Sequence, residues 1–228
     1  MENENTESII NKPYVFLNDR KAKDVFAKID YHFRSGVHIQ REYPKPEELF
    51  RFIEKHFESI QSYYADFFQL KLEKGGEELS SRYYYLDFSD EIGRSKIPSD
   101  YKYKKYMETS HIIIGMLYFK MYRLDANIEL DTIDGFIQLL LTEYEEEKNG
   151  LFKLIAGTKN EKSSDHIDDA ILTEIRDAFN EFEKLGWIEW LDDSKNKFQY
   201  LSSFERLRKI YQPQITTIDD LINKLNAN

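Results

Sequence analysis

The chain has 228 residues, with 42 acidic against 32 basic side chains and a formal net charge of −10, which excludes wholesale wrapping of nucleic acid but leaves room for a local basic patch. It has no cysteine, so disulfides, thiolate metal sites and thiol nucleophiles are excluded. It carries 16 Phe, 16 Tyr and 2 Trp against 9 Gly and 5 Pro, a ring content that suits packed helices and hairpins; its apolar runs fall short of a membrane span and its first residues lack a basic-then-apolar signal, so no membrane partner and a cytoplasmic location are expected.

Residues 1–13 are polar and read as a loose arm. From Ala22, the apolar positions Val25, Phe26, Ile29 and Phe33 fall at helical spacing, and Gly36 suits the stop because it tolerates positive φ. Val37, His38 and Ile39 read as a short strand. After Pro44 and Pro46, the positions Leu49, Phe52, Ile53, Phe57, Ile60 and Tyr64 define an amphipathic helix. The period then changes to two: Phe68, Leu70 and Leu72 alternate with polar residues and 83–88 forms a second extended run. Lys74, Gly75, Gly76 and Glu77 lie between, so this is a hairpin.

Residues 89–100 read as a connector. A helix is predicted over 103–123, apolar nearly all round between Ile112 and Tyr122. Residues 127–130 read as a short strand, and Asp131 as the cap of a helix carrying Ile133, Phe136, Ile137, Leu140, Leu141 and Tyr144. A polar stretch over 157–165 precedes a helix with Ile167, Ile171, Ile175, Phe179 and Phe182 on one face, ending at Gly186. Residues 187–191 and 198–201, joined by a turn over 192–196, make a second hairpin. Residues 213–228 read as a short detached helix, a docking tail.

Helices followed by a hairpin, twice, is the order of a winged helix, although the first copy shows one long helix where two are usual. The expected fold is α+β, predominantly helical, with two tandem winged-helix domains and β-hairpin wings. The divisions are an arm at 1–13, domains at 14–98 and 99–212, and a tail at 213–228.

Chemistry is sparse. His32, His38, His56, His111 and His166 are scattered without a metal-ligand motif, and Glu143, Glu145, Glu146 and Glu147 lack calcium-loop spacing. Ser80, Ser81, Ser202 and Ser203 have no nucleophile-elbow context, and Gly75 and Gly76 do not form a phosphate loop. No catalytic residue, cofactor or metal site is therefore expected, and the chain reads as a non-enzyme. Three features suit binding. Arg94, Lys96, Lys102, Lys104 and Lys105 interleave with Tyr101, Tyr103 and Tyr106, a mixture that suits nucleic acid and equally a solvated helix start. The stretch 165–184, where a DNA-reading winged helix presents its recognition surface, has seven acids against Arg176 and Lys184, so phosphates repel it. The ring surplus leaves aromatic side chains to meet another chain.

The run from Ile29 to Ile39 (Ile29, Asp30, Tyr31, His32, Phe33, Arg34, Ser35, Gly36, Val37, His38, Ile39) resembles the N-terminal helix and "SG-x-HI" strand of the MukE/MksE family, a subunit of bacterial condensin. Ile97, Pro98 and the helix through Gly115, Met116, Leu117 and Tyr118 are similar to that family's second-domain start. Ile175, Arg176, Asn180, Lys184, Leu185, Gly186 and the stretch from Lys197 through Phe198 to Phe204 are similar to its last helix and wing. The likeness spans roughly residues 24–210, in shared order.

The resemblance implies a homodimer that clasps a kleisin (MukF/MksF-like) subunit and so joins an SMC ATPase (MukB/MksB-like), which supplies the ATPase chemistry. It implies a nucleoid-associated role in chromosome condensation and segregation or in plasmid defence. Of the family's basic positions, Arg176 and Lys184 carry over, while Lys159 and Lys162 lie in the corresponding polar loop without strict matches. DNA contact is then weak, non-specific and salt-dependent, or shifted to residues 94–105. The alternative is a dimeric winged-helix DNA-binding transcriptional regulator, which needs a basic recognition helix.

Overall fold

The computed structural model describes residues 14–88, 107–127, 129–159 and 167–227. A 3-10 turn at Val15–Asn18 seats the fully buried Phe16 against two helices. The first, α1 (Ala22–Arg34), buries Val25, Ile29 and Phe33, one residue per turn along a single stripe. Its end is closed as expected by Gly36 at φ +81°, where a side chain is disfavoured. The second, α2 (Glu48–Phe68), buries Leu49, Phe52, Ile53, Ile60 and Tyr64 and bends at His56, whose φ of −119° leaves the helical region. It runs on to Phe68, and Gln69, in the left-handed region, caps it by donating to Ala65. The first hairpin therefore starts later than its alternation suggests.

Strands β1 (Ile39–Gln40), β2 (Lys71–Gly75) and β3 (Tyr83–Asp87) form one antiparallel sheet in the order β1-β3-β2. The register sets Leu72 opposite Leu86 and Ile39 opposite Tyr84. These four side chains close the first hydrophobic core with α1 and α2, as period-2 alternation requires of a sheet covered on one face.

The second core starts at α3 (Thr109–Phe119), which is apolar on almost every face and buries every residue from Ile113 to Phe119. One turn of π-helix, Lys120–Leu124, follows it. Around it pack α4 (Ile133–Glu143), α5 (Glu145–Lys159), α6 (Ile167–Lys184), α7 (Glu205–Thr216) and α8 (Ile218–Ala227), with the hairpin of β4 (Ile188–Trp190) and β5 (Phe198–Tyr200). Gly115 permits the closest approach: a Cβ there would lie 2.7 Å from Leu207 and 3.2 Å from Phe182. The rings are shared between the two cores; in the second, Tyr118, Phe179, Phe182, Trp187, Phe198 and Phe204 form one contacting cluster. Tyr31 and Phe67 are the large rings left mainly exposed among the described residues.

The predominantly helical α+β class is as expected, and several elements differ. Of the strand expected at 127–130, Ile128 lies outside the described residues, and Asn127 and Leu130 are joined by a turn bond in which the Leu130 amide donates to the Asn127 carbonyl at 3.2 Å. Its own carbonyl accepts from the buried Tyr118 hydroxyl at 2.9 Å, so no sheet partner is needed. One isolated bridge, Thr132 to Lys197, stands where a third strand was expected. Thr132, not Asp131, caps α4, its hydroxyl accepting from the Gly135 amide at 3.1 Å, while Asp131 faces Lys197 at 3.5 Å. The acidic run from Glu145 opens a helix of its own, where negative charge is favoured by the dipole. The segment expected to be a detached tail starts inside α7, and α8 buries Ile218 and Ile222 in the second core. Pro213 is accommodated because the helix is already broken at Tyr211 (φ −111°, ψ 18°). No helix among the described residues is long and apolar enough to cross a membrane.

Candidate functional site

Of the basic positions singled out in the sequence, only Lys159, Arg176 and Lys184 fall among the described residues. Arg94, Lys96, Lys102, Lys104, Lys105 and Lys162 lie outside the described residues, and Lys159 closes α5. Arg176 and Lys184 both sit on α6. Arg176 meets Asp134 of α4 at 3.0 Å and Lys184 meets Glu181 one turn back at 2.8 Å. Exposed pairs of this kind hold by less than about 1 kcal/mol, but they leave α6 presenting an acidic surface.

The densest polar geometry lies where the two cores meet, and the chain's motifs build it. The turn after α1 delivers His38 and Gln40, each 1% exposed, to the turn after α6. The His38 amide donates to the Leu185 carbonyl at 2.8 Å, and the Gln40 side-chain amide donates to the Gly186 carbonyl at 2.7 Å and to the Ser203 hydroxyl at 2.9 Å. The Ser203 hydroxyl also donates to Gly186, and the Ser203 amide donates to Gln40 Oε1 at 3.3 Å. Buried polar groups are tolerated when they are paired, as the Gln40 and Ser203 side chains are here. Gly186 has φ +71°, and a Cβ on it would lie 2.7 Å from the His38 carbonyl oxygen and 2.8 Å from the Tyr43 ring. The "SG-x-HI" strand and the Leu185-Gly186 turn are thus the two faces of one joint.

Arg206 of α7 completes the seam. Its guanidinium lies 3.9 Å from the Tyr85 ring centre, pairs with Asp87 of β3 at 3.3 Å and approaches His38 Nε2 at 3.3 Å. His38 Nδ1 is 3.0 Å from the Leu185 carbonyl, which can only accept. The ring is therefore the Nδ1–H tautomer, with its Nε2 lone pair facing the arginine. Peripheral contacts join Tyr43 to Glu183 at 3.2 Å and Lys45 to Glu189 at 3.0 Å. Two rings of the surplus, Tyr83 and Tyr84, are absorbed here and in the first core, each 2% exposed.

Burial, and secondarily the Arg206 charge, push the His38 imidazole from 6.5 down to about 3, against a smaller opposing effect of the Leu185 carbonyl. The folded chain keeps the ring neutral while the unfolded chain takes up a proton near pH 6.5. The stability due to His38 is therefore fully present above pH 6.5 and is lost as pH falls from there toward 3, at about 1.4 kcal/mol per pH unit. Urea unfolding is expected to show a loss of about 2 kcal/mol between pH 7.5 and pH 5. His32, half-buried and shifted the same way by desolvation, adds a smaller loss. His38→Gln should flatten most of the slope, and an unchanged slope in that variant would remove His38 as its origin.

A second polar cluster lies between α3 and α6. Ser110 and His111 of α3, 5% and 6% exposed, face Glu174, 3% exposed. The Ser110 hydroxyl donates to Glu174 Oε1, and His111 Nε2 stands 3.5 Å from the same oxygen. A cleft of about 450 Å³ opens beside them, lined also by Glu108, Asp177 and Glu181. Sequence spacing carries no trace of this cluster, because Glu174 comes from a helix 63 residues after His111.

A family model described as "Condensin complex protein MksE" matches residues 24–211 of the chain, a span that includes most of both cores and the seam. No curated protein matches it.

Proposed function

The chain belongs to the MksE family of condensin complex proteins, and from that premise we propose that it is a non-catalytic accessory subunit that binds the kleisin as a homodimer and through it joins the SMC ATPase. The family match over residues 24–211 carries this reading. The fold supports it in two ways. Each core couples helices to a hairpin, α2 with β2–β3 and α6 with β4–β5, the succession of a winged helix, with the domain boundary between residues 88 and 101. The buried polar seam holds the two units in one relative orientation, which a clasp needs. In this role the chain works in the cytoplasm on the nucleoid, in chromosome condensation and segregation or in plasmid defence.

Co-expression with a kleisin-type subunit tests the proposal. The expected result is a complex stable to gel filtration in which light scattering counts two copies of the 27.3 kDa chain. A strict monomer that leaves the kleisin in the flow-through overturns it. A dimeric transcriptional regulator is the second reading. It is disfavoured by the acidic surface of α6 and by the pairing of Arg176 and Lys184 with Asp134 and Glu181. DNA contact in the favoured reading is weak and independent of sequence, and tight binding to one operator at physiological salt would reverse the order of the two readings.

A further inference from the structure

Glu108, immediately before α3, His111 in the first turn of that helix, and Glu174 in the middle of α6 each offer one ligand atom, and these atoms all lie within 4.8 Å of one another. Two of the three are more than nine-tenths buried. The 3.5 Å between His111 Nε2 and Glu174 Oε1 is too long for a hydrogen bond. Among the described residues neither nitrogen of the His111 ring makes one, although the side chain lines the cleft. That separation suits a bridging ion. At the usual zinc distances of about 2.0–2.1 Å to imidazole nitrogen and 2.0–2.2 Å to carboxylate oxygen, a 3.5 Å span subtends about 115°, close to tetrahedral.

We propose that Glu108, His111 and Glu174 bind a divalent transition-metal ion of the zinc type, with the fourth position taken by water from the cleft. The surroundings fit. The Ser110 hydroxyl holds Glu174 Oε1 in place, the outer-shell orientation that ligating carboxylates require. Asp177 and Glu181 add negative charge to the cleft wall. The two lysines in that wall are occupied, Lys184 by Glu181 at 2.8 Å and Lys195 by Asn180 at 3.1 Å. An imidazole in the ligand set favours zinc-like ions over magnesium or calcium. The ion clips the start of α3 to the middle of α6, and so stabilises the second core without chemistry of its own.

Cobalt(II) is the probe. The full-length chain, stripped with chelator, is titrated with Co2+ and then with Zn2+. The expected result is visible absorption of tetrahedral strength that saturates at one ion per chain and is displaced by Zn2+. His111→Ala should abolish it. Glu108→Gln tests the site without threatening the fold, because Glu108 is exposed and its side chain does not cap α3; it should weaken binding by about tenfold or more. No saturable absorption, or affinity unchanged in the well-folded Glu108→Gln protein together with His111→Ala, overturns the site.

Discussion

Gly186→Val is expected to part the two cores and to lower the unfolding free energy by about 2–6 kcal/mol, from a left-handed conformation costing about 1–2 kcal/mol and the loss of two or three buried hydrogen bonds at about 0.5–1.5 kcal/mol each. The new side chain cannot be absorbed by a neighbour's flexible end, since its first carbon would lie 2.7 Å from the His38 backbone oxygen. The strand must withdraw, and the bonds from His38 to Leu185 and from Gln40 to Gly186 go with it. Gly36→Ala is the comparison. Its φ of +81° imposes a similar backbone cost, but the added carbon would meet only the Leu185 side chain, at an ordinary 3.4 Å. Urea titrations should therefore show a clearly larger loss for Gly186→Val, with separate transitions for the two cores. Equal losses in the two variants would show that the seam is not what couples them.

Phe204→Ala should cost about 3–5 kcal/mol by removing a large ring from a filled core. Phe204 has no exposed surface and sits among five rings: it stacks on Trp187 at 5.3 Å and on Tyr118 at 5.8 Å, and contacts Phe119, Phe182 and Tyr200. A chain of this length loses 2–4 °C per kcal/mol, so melting should fall by about 10 °C. The loss should also reach the seam, because Phe204 ends the 3-10 turn that sets Ser203 against Gln40 and leads α7 to Arg206. Phe67→Ala, at a ring 52% exposed, should change stability by no more than about 0.5 kcal/mol. If both phenylalanines prove equally dispensable, the aromatic cluster does not hold the second core.

The elements that were legible in the sequence are those whose apolar face is complete within the element. In α1, Val25, Ile29 and Phe33 suffice to mark the stripe, and in β2 and β3 the alternation of Leu72 and Leu86 marks the buried side. The helix α5 was not legible. Its opening is Glu145, Glu146 and Glu147, a polar turn that marks no apolar stripe. A Cβ at Gly150 would lie 3.0 Å from Ile222, so its packing surface is supplied by α8, some 70 residues later, which alone looks like a detached amphipathic tail. The seam was hidden for the same reason. His38 and Gln40 read as a polar interruption of a short strand until Leu185, Gly186 and Ser203 stand beside them. The motif residues themselves could be quoted without any sign that they touch. Two of the basic positions, Arg176 and Lys184, lost prominence in the fold, since they have acidic neighbours from α4 and from the preceding turn of α6.

The seam also decides how the chain bears tension. The bonds from His38 and Gln40 end on adjacent carbonyls, Leu185 and Gly186, and Arg206 ties β3 to α7 nearby. A pull that slides one core along the other loads these bonds together, in parallel, and none opens before its neighbours. A pull that peels the cores apart from one edge meets the exposed Lys45–Glu189 pair first and the buried joint afterwards. The chain is then stiff in shear and yields from its rim, so the direction of load sets how long the two halves stay together.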